Sequence, residues 1–192
     1  MSFFSPANTS PALSTYADKG LYFRNAPPDT LQGAVIADLI VGDGNQSAFI
    51  LNLDDAYGNG IGDVIAASLE AAGVEVLGKV AYDPAAESFD TLVSDVAAAD
   101  PDAIVLITFE EGSRILRAMV ELGIGPVNKM VYGSDGNMGN ALAETIDAGE
   151  RCPCVDDAHH LNHCTTKGAP GRWSGAPSRQ GSDSVWHNAQ RT

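Results

Sequence analysis

Three groups of polar residues in this sequence could do chemistry: Asp54, Asp55 and Tyr57; Glu110 and Glu111; and Ser134, Asp135 and Asn137. Converging on one crevice, they would offer anionic acceptors and a phenol, a set suited to an ammonium or another cation. Read singly, acidic residues just after a strand cap helices and face water, and that is the reading for Asp54 and Glu110. For Tyr57 and Glu111, position alone leaves both readings open. A second chemistry uses the same acids differently, with Asp54, Asp55 and Asp135 gathering Mg²⁺ for phosphoryl transfer or hydrolysis on a doubly wound sheet. Against it stands the lack of a phosphate loop, and of basic residues near these acids to hold a phosphate.

Other motifs carry less. Gly58-Asn59-Gly60-Ile61-Gly62 falls short of a dinucleotide loop, because position 63 is Asp63, an anion where the pyrophosphate would lie. Glycine here is expected to permit a tight turn before a helix. GxSxG, P-loop and HExxH patterns are absent, and residues 1 to 148 contain no histidine to activate a nucleophile. Cys152, Cys154, His159, His160, His163 and Cys164 are zinc-binding residue types, but Cys-x-Cys is tighter than the usual ligand spacing and no apolar pattern surrounds it. The expectation is no metal site and no cofactor.

The elements that must position these groups follow from the apolar spacing. Ala48 to Leu51 is apolar on both faces, as a strand buried in a parallel sheet must be, and from about Asn59 the residues Ile61, Val64, Ile65 and Leu69 recur at helical spacing. Asp54, Asp55 and Tyr57 therefore sit beyond the carboxyl end of a strand, where open α/β sheets bind ligands. Before this unit, Leu21 to Arg24 reads as a short strand among prolines. A helix follows, capped by Asp29 or Thr30, with Leu31, Val35, Ile36, Leu39 and Ile40 as its stripe. After it come a strand at Val74 to Tyr82, and a helix capped by Ser88 that buries Phe89, Leu92, Val93 and Val96. Next are a strand at Ala103 to Phe109, a helix with Ile115, Leu116, Met119 and Leu122 ending at Gly123, and a strand at Lys129 to Tyr132. The recurring βα period predicts a three-layer, doubly wound, mostly parallel α/β sheet.

Charge divides the chain. Residues 1 to 148 hold 6 basic and 21 acidic side chains, whereas the last 44 residues hold 5 and 4, together with every Cys, His and Trp. That tail, from residue 149 to 192, has no sustained apolar period and is expected to be irregular or disordered. A formal net charge of −14 argues against nucleic acid or an anionic membrane surface as partner. No apolar run approaches the roughly 20 residues of a membrane span, and MSFFSPANTS lacks the pattern of a signal peptide.

The ordered set SPANTSP, YFRNAPPD, LQG, DDAYGNG and GSDGN, over about residues 2 to 147, resembles the branched-chain amino acid binding family, the extracytoplasmic substrate-binding subunits of ABC importers. The resemblance implies a type I periplasmic-binding fold, with two α/β lobes joined by a hinge and a ligand held between them. It implies no enzymatic activity, a small-molecule ligand such as an amino acid, and importer membrane subunits as partners. Residues 1 to 28 would be the remnant of the first lobe and hinge crossing, and residues 29 to 148 the second lobe. In that family the segment matching SPANTSP grips the ligand's carboxylate and ammonium, here through Ala7 and Thr9. The loop tyrosine matches Tyr57, the acid taking the ammonium matches Glu111, and Asp135 sits where the chain returns to the hinge. Most of a first lobe would precede Met1, and the family pattern stops after Ile146. A truncated reading frame that shifts near Gly149 is the expectation that accounts for both.

Overall fold

The computed structural model describes residues 1–137. The tail from 149, the end of the expected second lobe and the Cys/His group lie outside the described residues. The chain opens with β1 (Phe3–Ser5) and β2 (Tyr22–Arg24), which pair in parallel as a separate two-stranded sheet. It continues through α1 (Asp29–Gly42), β3 (Ser47–Leu53), α2 (Ala56–Ala71), β4 (Glu75–Tyr82), α3 (Asp90–Ala99), β5 (Ala103–Ile107), α4 (Gly112–Glu121) and β6 (Met130–Gly133).

Strands β3 to β6 form one parallel sheet in the order β4-β3-β5-β6. Alternation along the inner strands separates two cores. Phe49, Leu51, Leu53, Ile104, Leu106 and Val131 pack with Phe89, Val93, Val96, Ile115 and Met119 from the α3 and α4 side. Ala48, Ile50, Val105, Ile107 and Tyr132 pack with Ile36, Ile40, Ile61, Ile65 and Leu69 from the α1 and α2 side. Both faces of the sheet are thus covered, which is why β3 and β5 read as unbroken apolar runs. The predicted three-layer, doubly wound arrangement is what forms. From β3 the chain moves out to β4 and then returns to the far side of β3 as β5. The strand order therefore reverses between β3 and β5, and the carboxyl ends of these strands are the switch point at which open α/β sheets bind ligands.

Several boundaries differ from expectation. Helix α2 starts at Ala56 rather than near Asn59, because the Asp55 carboxylate accepts from the Gly58 amide at 2.6 Å and caps the first turn. The glycines are thus inside the helix, not in a turn before it. Gly58 is required there: a Cβ would lie 2.7 Å from the Leu53 nitrogen, and closer still to the Leu53 carbonyl oxygen. Strand β5 ends at Ile107, two residues early, since the Phe109 amide donates to Glu111 Oε1 at 3.0 Å and turns the chain out of the sheet. Neither Asp29 nor Thr30 caps α1; Pro28 occupies that place and Asp29 is the first helical residue. Leu31, Val35 and Leu122, expected on packed faces, are exposed.

Candidate functional site

Three loops meet at the carboxyl ends of β3, β5 and β6. The first is built by the Asp55 cap, which fixes the start of α2 and with it Tyr57. In the second, Thr108 is fully buried while Phe109 turns outward and is 45% exposed. The third is a short 3-10 turn, Asp135–Asn137, that follows the buried Ser134. The amide of Ser134 donates to Leu106 O at 3.1 Å, and Asn137 Nδ2 donates to Thr108 Oγ1 at 2.9 Å, so the second and third loops are locked together.

Across this floor the Tyr57 hydroxyl donates to Asp135 Oδ1 at 2.9 Å, and the Tyr57 ring stacks on Phe109 with centroids 5.4 Å apart and planes at 22°. Burial pushes the Tyr57 phenol well above its ordinary value; the nearby Ser134 hydroxyl works the other way, and the Asp135 and Asp29 carboxylates add to the rise. Tyr57 therefore stays a proton donor at neutral pH and holds one oxygen of Asp135.

A fourth loop comes from the β1–β2 pair. Ser5 Oγ accepts from the Asn8 amide at 3.0 Å and the Ala7 amide at 3.3 Å. Arg24 on β2 donates from Nη1 to Ser10 O at 2.9 Å and from Nη2 to Ser14 Oγ at 2.5 Å, clamping the segment that carries Thr9. The Thr9 carbonyl accepts from the Asp29 amide at 2.9 Å, which joins this loop to the start of α1. Asp29 is 1% exposed, and among the described residues its carboxylate oxygens accept no hydrogen bond of good geometry. Desolvation raises its pKa, which the Thr9 hydroxyl opposes, Asp135 reinforces and Arg24 opposes.

Of the residues expected from the sequence, Tyr57 and Asp135 are in direct contact, and Thr9 is bonded through its carbonyl to the Asp29 amide. Ala7 is exposed, with its amide turned back onto Ser5. Glu111 lies on the second loop. Its Oε1 accepts from the Tyr82 hydroxyl at 2.9 Å as well as from the Phe109 amide, so it braces the loop that presents Phe109. Burial, then Glu111 itself, pushes the Tyr82 phenol strongly upward, and Tyr82 remains a donor. Asp54, Asp55 and Asp135 do not form a metal centre: Asp55 is spent as a helix cap, and among the described residues no group of three or more His, Cys, Asp or Glu could share an ion. The magnesium reading of these acids is corrected accordingly.

Sequence reasoning missed two residues of this floor. Phe109 was hidden in an apolar run that reads as strand, and Asp29 in a position that reads as a cap. The pair Pro27-Pro28 was the available signal for Asp29, since a proline in the cap place leaves the next carboxylate without the capping role.

The family model described as periplasmic binding protein matches residues 3–149. The chain belongs to that family. A chemotactic signal transduction system substrate-binding protein of Halobacterium salinarum is 35% identical over 109 residues, which cover 54% of this chain and 26% of that protein. Among solved structures, a leucine binding protein of Thermotoga maritima is similar with a TM-score of 0.68 and 22% identity over 75% of this chain and 40% of that one. An ABC transporter substrate-binding protein of Desulfitobacterium hafniense, solved in complex with Leu, is similar with a TM-score of 0.57 and 24% identity over 69% and 39%. The type I periplasmic-binding fold is thus common to them. This member of the family spans about a quarter of the length of that curated relative and about 40% of those solved chains. Among its described residues, no helix is long and apolar enough to cross a membrane.

Proposed function

We propose that this periplasmic binding protein takes an amino acid, or a similar small ligand bearing an ammonium, at the carboxyl-end crevice of its sheet. The observation that carries the reading is the Tyr57, Phe109 and Asp135 constellation: an acidic acceptor fixed by a phenol that stacks on a second aromatic ring. Asp135, rather than Glu111, is the acceptor for the ammonium, because Glu111 is engaged with Tyr82 and the Phe109 amide. Thr9, whose carbonyl accepts from the Asp29 amide at 2.9 Å, and the exposed Ala7 two residues before it belong to this reading as the further contacts of the ligand. Tyr57 and Phe109 supply apolar surface for the ligand and orient Asp135. Such a site holds and releases its ligand without chemistry. The whole protein would work outside the cytoplasm as the solute-binding component of an ABC importer, closing around the ligand before it meets the membrane subunits. The name of the Halobacterium salinarum relative supports a second partner, a component of a chemotactic signal transduction system.

The test is thermal unfolding of the chain with common amino acids at millimolar concentration. A rise in Tm for one chemical group of amino acids, abolished in Asp135→Asn and kept in Glu111→Gln, is the expected result. A rise lost in Glu111→Gln and kept in Asp135→Asn would refute the assignment.

A further inference from the structure

Residues 1–137 hold 19 acidic and 6 basic side chains, and of the acids all but Asp18, Asp29 and Glu111 are exposed. The few cations neutralise little of this charge. Lys79 and Lys129 pair with Asp63 and Asp100. Arg24 instead donates to Asn8 O, Ser10 O and Ser14 Oγ, and Arg114 donates to Ala86 O and Glu87 O while lying over the Phe89 ring. The acidic excess also overrides a local preference. The C-terminal end of a helix carries partial negative charge and is stabilised by a cation, yet none of α1 to α4 has a basic residue in its last turn. Asp43 and Asp100 are the caps of α1 and α3, and Glu70 and Glu121 lie in the last turns of α2 and α4. Each of these helices leads into a strand of one parallel sheet, so the four acidic ends gather at the amino end of that sheet, opposite Tyr57 and Asp135.

Carboxylates on one compact surface repel one another, and folding brings them closer together than they are in the unfolded chain. At about 0.15 M salt the screening length is about 8 Å, so neighbouring carboxylates still feel one another; at about 1 M it is about 3 Å, and little repulsion survives beyond direct contact. We propose that the fold is conditional on salt: the chain is a halophilic protein, stable when salt of about 1 M screens its surface and unfolding progressively as that salt is withdrawn. Hydrated monovalent cations crowding the carboxylates as a group are enough for this, and no separate site for any one of them is required. The inference concerns the whole surface and is independent of the ligand and of Asp135.

The experiment follows thermal unfolding of the full chain by circular dichroism between about 0.05 and 3 M NaCl. Wild type is compared with a variant carrying Asp38→Lys, Glu70→Lys, Asp95→Lys and Glu121→Lys. These are exposed side chains, one on each helix, whose carboxylates bond to nothing among the described residues, and the exchange moves the formal net charge from −14 to −6. Wild type is expected to gain about 10 °C or more in Tm between about 0.05 and 1 M, and the variant to keep less than about half of that rise. The slope is the readout, because a lysine near a helix end raises Tm on its own account. Salt excluded from the protein surface favours any folded chain, so equal slopes in the two proteins would assign the rise to exclusion and overturn the inference. A flat or falling Tm in wild type overturns it as well. A second variant, with Asp38→Asn, Glu70→Gln, Asp95→Asn and Glu121→Gln, keeps the test independent of the folding of the first, and its slope is expected between those of wild type and the lysine variant. A slope equal to that of wild type, or a failure of both variants to fold at any salt concentration, would contradict the account.

Discussion

Gly58→Ala, set against Gly60→Ala two residues further along the same helix, isolates the contact that fixes Tyr57 in the site. A Cβ at 58 would lie 2.7 Å from the Leu53 nitrogen and 2.8 Å from the Leu53 Cβ, with the Leu53 carbonyl oxygen nearer still. These are largely backbone atoms of a buried strand and cannot rotate away. The start of α2 must back off, which stretches the Asp55 cap on the Gly58 amide and carries Tyr57 away from Asp135. Overpacking of this kind costs about 1–3 kcal/mol, and a weakened cap about 1 kcal/mol more. The gain in helix propensity on replacing glycine returns only about 1 kcal/mol, so the net loss is about 1–3 kcal/mol. At 60 a Cβ meets Pro11 Cδ at 3.4 Å, an ordinary contact, and the propensity gain stands nearly alone. Urea unfolding read by circular dichroism should show Gly58→Ala with a lower midpoint than wild type and Gly60→Ala with an equal or higher one, with m values unchanged. If Gly58→Ala is as stable as Gly60→Ala, the close approach of α2 to the end of β3 is wrong, and the placement of Tyr57 with it.

Two other expectations concern stability. Tyr132 is 1% exposed, donates to Asp43 Oδ2 at 2.6 Å and accepts from Asn45 Nδ2 at 3.0 Å, so Tyr132→Phe should lower stability by about 1–2 kcal/mol in the same assay. The loss stays moderate because Asn45 keeps its bond to Ile40 O. The raised pKa of Asp29 has a definite sign: the folded chain binds this proton more readily than the unfolded chain, whose carboxyl keeps a value near 3.8. Asp29 therefore adds stability below 3.8, and that contribution is lost as pH rises through its higher folded value. Subtracting the Asp29→Asn stability profile from that of wild type between pH 3 and 7 should leave a difference that falls with rising pH; a flat or rising difference would contradict the assignment.

The order of strands and helices was legible because burial on both faces of β3 and β5, and the helical stripes of α2 and α3, leave little freedom of interpretation. What was not legible came from contacts between distant residues. Periodicity carries β5 on to Phe109, and only the Glu111 carboxylate taking the Phe109 amide ends the strand early. The same bond, with the one from Tyr82, makes Glu111 Oε1 a brace of the loop that presents Phe109. Glycine-rich sequence before an apolar stripe reads as a turn, whereas the approach of α2 to Leu53 places those glycines inside the helix. Leu31 and Val35 share the apolar type of Ile36 and Ile40 but not their direction, and composition alone cannot separate two faces of one helix. The pairing of Tyr57 with Asp135 spans 78 residues and rests on strand order, so no local pattern announces it.

Ligand binding at the Tyr57, Phe109 and Asp135 crevice is read from the backbone amide chemical shifts of the isotope-labelled chain as the common amino acids are added at millimolar concentration. Binding at the crevice gives the largest changes at Tyr57, Phe109, Ser134 and Asp135, with Thr9 and Asp29 among those that follow, and their disappearance in Asp135→Asn. Changes centred on other residues, or changes at this crevice that survive in Asp135→Asn, would contradict it.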